Sequence, residues 1–101
     1  MGKARISIPK DSITEFCKRN HILRLSFFGS VVREDFAPSS DVDVLVEFEP
    51  GVRVGLIRLS GLELELGEII GRKVDLNTPG FLSKYYRDQI LVEAEVQYDA
   101  A

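Results

Sequence analysis

Apolar and polar residues alternate along several stretches of the chain. From Ile22 to Phe28, Leu23, Leu25 and Phe27 interleave with Arg24 and Ser26, the period of a half-buried strand. From Asp41 to Phe48, Val42, Val44, Val46 and Phe48 take one face, while Asp41, Asp43, Leu45 and Glu47 take the other. Lys73 to Leu76 predicts a short third strand, and Glu95 to Tyr98 a final one. Elsewhere the period lengthens to that of a helix. Ile13, Phe16 and Cys17 share a face behind Pro9, which suits a first helical turn. Asn20 is expected to end that helix in a left-handed conformation. Residues 55–70 predict a longer helix with Leu56, Leu59, Leu62, Leu66, Ile69 and Ile70 in one stripe, stopped by Gly71. Thr78 is placed to cap a last helix with Pro79 at its first position and Leu82, Tyr85, Tyr86 and Ile90 along one face. Val31–Glu34 is read as a short helical turn and residues 35–40 as a loop. The order is α-β-(α)-β-α-β-α-β, an α+β fold with a small mixed sheet and helices packed against it.

With 101 residues, the expectation is a single domain over 1–101, its core at about 9–99. The net charge of -3 disfavours a long basic nucleic-acid-binding surface, although an enzyme that meets nucleotides through a metal ion is not excluded. Cys17 is the only cysteine, so no intramolecular disulfide forms, and a reducing, cytoplasmic compartment is expected. No apolar run approaches the ~18 residues of a membrane span, and the start of the chain is too short for a signal-peptide core. His21, alone of its kind, reads as a helix-end or solvent residue rather than a metal ligand.

Candidate chemistry lies on the second strand. Side chains at i and i+2 share a face with their backbones about 6.6–7 Å apart, so Asp41 and Asp43 are able to converge on the same ions. Two Mg²⁺ ions held by such carboxylates are a common apparatus for displacement at phosphorus. The same alternation also describes a strand that shows its acids to water. Asp75, between Val74 and Leu76, joins the group if its strand lies beside Asp41–Phe48; three crowded carboxylates then repel one another unless a cation intervenes. Gly29-Ser30 ends the first strand. Glycine admits a phosphate close to the backbone, and the following amides and the Ser30 hydroxyl are donors for it.

The string F-F-G-S-V-V-R-E-D-F-A-P-S-S-D-V-D-V-L-V-E-F from Phe27, with the later V-D-L, resembles the DNA polymerase β-like nucleotidyltransferase superfamily. It is closest to the minimal nucleotidyltransferase (MNT) branch, the antitoxins of HEPN-domain toxins. G-R-K-V-D-L-N-T-P-G and R-D-Q-I-L-V-E-A-E-V-Q-Y extend the resemblance over roughly residues 9–99. The resemblance implies that Gly29, Ser30 and Arg33 bind the nucleotide, and that Asp41, Asp43 and Asp75 are catalytic and bind two Mg²⁺. It further implies transfer of AMP from ATP to a hydroxyl, a tyrosine of a cognate HEPN toxin, in a type VII-like toxin–antitoxin pair. A homo- or hetero-oligomer would fit such a pair. A nucleic-acid template is not expected, since a polymerase's template-gripping domains have no counterpart in the sequence.

Val31 and Glu34 stand where many relatives carry arginine and glycine. They motivate an alternative reading, a catalytically weak or inactive antitoxin that neutralises its partner by binding alone. Ile57 and Leu64 lie opposite the main stripe of their helix, seven residues apart, where a partner or self-association would cover them.

Overall fold

The computed structural model describes residues 9–29, 41–81 and 84–100. Helix α1 (Lys10–Arg19) leads to strand β1 (Ile22–Phe28). After β2 (Val42–Phe48) come α2 (Leu56–Ile70) and β3 (Val74–Asn77). A 3₁₀ turn (Pro79–Phe81), α3 (Lys84–Glu93) and β4 (Glu95–Asp99) complete the order. The strands form one sheet in the order β3-β2-β1-β4. β1 runs antiparallel to both β2 and β4, while β2 and β3 are parallel. The α+β class, the mixed sheet and the element order follow the sequence reading, and the expected turn at Val31–Glu34 lies outside the described residues.

One face of the sheet carries the core. Ile22, Leu25 and Phe27 of β1, Val42, Val44 and Val46 of β2, and Val74 and Leu76 of β3 pack with Ile13, Phe16 and Cys17 of α1 and Leu59, Leu62 and Leu66 of α2. A bulge between Ile22 and Arg24 keeps Ile22 on this face despite its odd spacing from Leu25. The alternation of β2 therefore sends Asp43, Leu45 and Glu47 to the opposite face. There Arg24 bonds Glu47 and Asp99, each at 3.3 Å, fastening β1 to both neighbours.

Helix ends differ from expectation in two places. Asn20 has φ -107°, and it is His21 that takes the left-handed φ of 56°. Asn20 stays right-handed because its side chain is used: Nδ2 donates to the Phe16 carbonyl at 2.8 Å, and Oδ1 accepts from Arg58 of α2 at 3.4 Å. The last helix begins at Lys84 rather than at Pro79, which instead opens the 3₁₀ turn. Gly71 does end α2 as expected, at φ 80° with its amide bonded to the Gly67 carbonyl. Leu56, placed in the buried stripe by periodicity, is 67% exposed in the first turn of α2.

Candidate active site

The features singled out in the sequence meet where β1 finishes and β2 begins. Antiparallel pairing sets Phe28, the last residue of β1, opposite Asp43. Parallel pairing sets Asp43 beside Asp75. Phe28, Asp43 and Asp75 thus form one row across three strands, with Gly29 just beyond. Neighbours of the two acids, Val42, Val44, Val74 and Leu76, are buried in the core, so both carboxylates rise from the other face. Strands lie about 4.8 Å apart, and like charges directly opposite each other destabilise a sheet. Such a pair is unfavourable alone and favourable around a cation.

Gly29 makes this corner possible. Its φ of 73° is one that side-chain-bearing residues rarely adopt, and a Cβ there would overlap the Asp43 carboxylate, with Asp43 Cγ and Cβ only 3.1 and 3.3 Å away. The end of β1 therefore folds directly against the side chain of Asp43. Asp43 is half-buried, whereas Asp75 is exposed. Asp41 is exposed as well, one residue ahead of β2 and two from Asp43.

The structure brings Asp43 and Asp75 together. It does not close Asp41 with them into a cage: among the described residues, no three His, Cys, Asp or Glu side chains are gathered closely enough to hold an ion. The donor set still suits Mg²⁺, which prefers carboxylate oxygen and is commonly held by one or two carboxylates with substrate phosphates completing the shell. Ser30 and Arg33, together with Val31 and Glu34, lie outside the described residues.

Two side chains near the acids had no sequence signal. Glu63 of α2 accepts the backbone N–H of Leu76 on Oε2 at 2.7 Å. Asn77 donates from Nδ2 to the carbonyl of Asp75 at 3.1 Å. In sequence Glu63 is one polar residue between two leucines, and only the docking of α2 beside β3 gives it a role. Cys17 belongs to the core: burial pushes its thiol up to about 12. His21 is exposed at the turn after α1.

A mixed sheet that pairs two strand-borne aspartates beside a glycine turn is the arrangement expected of a nucleotidyl-transfer enzyme. The chain belongs to the nucleotidyltransferase domain family, which it matches over residues 10–96, and is a nucleotidyltransferase. A protein of Methanocaldococcus jannaschii, named provisionally a protein adenylyltransferase, is 36% identical over 84% of this chain and 89% of its own length. A solved structure described as a minimal nucleotidyltransferase is 34% identical, with a TM-score of 0.70 over 84% of this chain and 85% of that one. The fold is also that of a chain in the solved complex of a tri-AMPylated Shewanella oneidensis HEPN toxin with an MNT antitoxin. There the TM-score is 0.66 at 18% identity, over 90% of this chain and 70% of that one.

Proposed function

We propose that this nucleotidyltransferase moves AMP from ATP to a tyrosine hydroxyl of a HEPN-domain toxin and so silences it, as the antitoxin of a type VII-like pair. The register pairing of Asp43 with Asp75 beside Gly29 is the observation that carries the reading. The relatives' names supply the substrate classes. Gly29 and Ser30 position the β- and γ-phosphates, and Arg33 adds a positive contact to the triphosphate. Asp41, Asp43 and Asp75 are the residues that would hold Mg²⁺. When bound, the metal neutralises charge on the triphosphate and lowers the pKa of the acceptor hydroxyl. Asp75 would bind the ion that lowers the acceptor's pKa, or act as the base that takes its proton. The hydroxyl oxygen bonds to the α-phosphorus, the bond to the β-phosphate oxygen breaks, and pyrophosphate leaves. Much of the rate comes from holding the two reactants in line. A free thiol at Cys17 fits the reducing cytoplasm to which we assign the chain.

The test incubates α-labelled ATP, Mg²⁺ and the cognate toxin with wild type or with Asp41→Ala/Asp43→Ala. Label on the toxin that disappears in the variant supports the proposal. Undiminished label in the variant contradicts it. Neutralisation that survives Asp43→Ala, with an unmodified toxin, selects the binding-only alternative that Val31 and Glu34 motivate.

A further inference from the structure

Asp75 has a less secure mount than Asp43, whose seven-residue strand is paired on both sides. It stands on a strand of four residues at the edge of the sheet, paired on one side alone. In a parallel ladder, alternate residues turn their N–H groups to the partner and the next ones turn theirs away. The Val42 amide donates to Lys73 at 2.9 Å, which places the N–H of Leu76 on the open side. An unpaired amide there would be free to pair with water or another chain, and the short edge strand free to fray. Glu63 meets it instead. The 2.7 Å bond from Leu76 N–H to Oε2 is short and charge-assisted.

This bond belongs to the peptide unit that joins Asp75 to Leu76. The carbonyl end of the same unit accepts from Asn77 Nδ2 at 3.1 Å. Both polar ends of the peptide that follows the Asp75 Cα are therefore held, and that plane sets the direction in which the Asp75 side chain leaves the strand. Glu63 is itself firmly carried, because its neighbours on α2, Leu62 and Leu66, are in the core.

We infer that Glu63 is a positioning residue for Asp75: it latches the edge strand from α2 and so fixes the third carboxylate relative to Asp43. The inference rests on the nucleotidyl-transfer reading above and adds to it a residue that touches neither nucleotide nor acceptor. Partners that orient a ligand typically change metal affinity or activity by about 10–100-fold when removed.

The experiment compares wild type, Glu63→Ala and Glu63→Gln, the last keeping an acceptor oxygen for the Leu76 amide. Three quantities are read: hydrogen exchange at the Leu76 amide, Mn²⁺ affinity as a probe of the carboxylates, and kcat and KM for ATP in AMP transfer. Glu63→Ala is expected to speed Leu76 exchange and weaken Mn²⁺ binding by about tenfold, and to lower kcat by about tenfold with KM for ATP nearly unchanged. Glu63→Gln is expected to restore most of each. Unchanged Leu76 exchange in Glu63→Ala overturns the latch. Faster exchange with unaltered Mn²⁺ affinity and kcat overturns its role toward Asp75. A wild type that binds no Mn²⁺ and transfers no AMP refutes the underlying reading instead, and the latch's role with it.

Discussion

At the scale of single residues, Gly29 and Asp43 form a packed pair with no room for a side chain at position 29. Gly29→Ala places a Cβ on the Asp43 carboxylate and forces alanine to a φ of 73°. The left-handed backbone alone costs about 1–2 kcal/mol. Urea denaturation should show at least that loss, and AMP transfer should fall further than stability explains because Asp43 is displaced. Asp43→Asn keeps the shape and removes the charge. Its transfer rate should drop more than the about 10–100-fold typical of residues behind a ligand. Cys17 gives a pH signature. Its thiol titrates at 9.0 when free and at about 12 when buried. Between those values the unfolded chain binds fewer protons than the folded one, so stability falls as pH rises from 9 toward 12. Denaturation midpoints across that window should fall more steeply for wild type than for Cys17→Ala. The acids were legible because Asp-Val-Asp alternates with buried valines. The exchange of roles between Asn20 and His21 was not, because it depends on a bond that Asn20 accepts from Arg58 on a distant helix.

At the scale of elements, the site depends on how α2 spans from β2 to β3. That connection makes the two strands parallel and sets Asp75 beside Asp43. Leu66, fully buried where α2 meets the sheet, is the most direct probe of it. Leu66→Ala should destabilise by about 2–5 kcal/mol in urea denaturation. Periodicity revealed this helix and the strand after it to within a residue or two, since core leucines and valines impose regular spacing. It misplaced Leu56, which lies on the correct angular stripe but is exposed as the first residue of the helix. The start of α3 was misread for a local reason. Pro79 fits a first helical turn and a 3₁₀ turn equally well, and nothing in the adjacent residues separates the two. Glu63 was invisible for a different reason: its partner is a backbone amide, and backbone leaves no mark in sequence.

At the scale of the whole molecule, the sheet divides the labour. One face buries the core against α1 and α2, and the other carries Asp43 and Asp75 alongside the buried Leu45, Ser26 and Phe28. Ile57 and Leu64, 92% and 72% exposed, stand on the outer side of α2 as the helical period foretold. Paired carboxylates on a firm apolar mount suit an enzyme whose acceptor arrives on another protein, and the net charge of -3 makes a divalent cation the natural mediator with a triphosphate. The central claim is that Asp43 and Asp75 act together on one nucleotide. Intact-mass spectrometry of the cognate toxin, after incubation with ATP, Mg²⁺ and either wild type, Asp43→Asn or Asp75→Asn, tests it most directly. Wild type should add adenylyl groups to the toxin, and each single variant, or an excess of chelator, should abolish the addition. Full modification by either variant, or by wild type without divalent metal, would contradict the account.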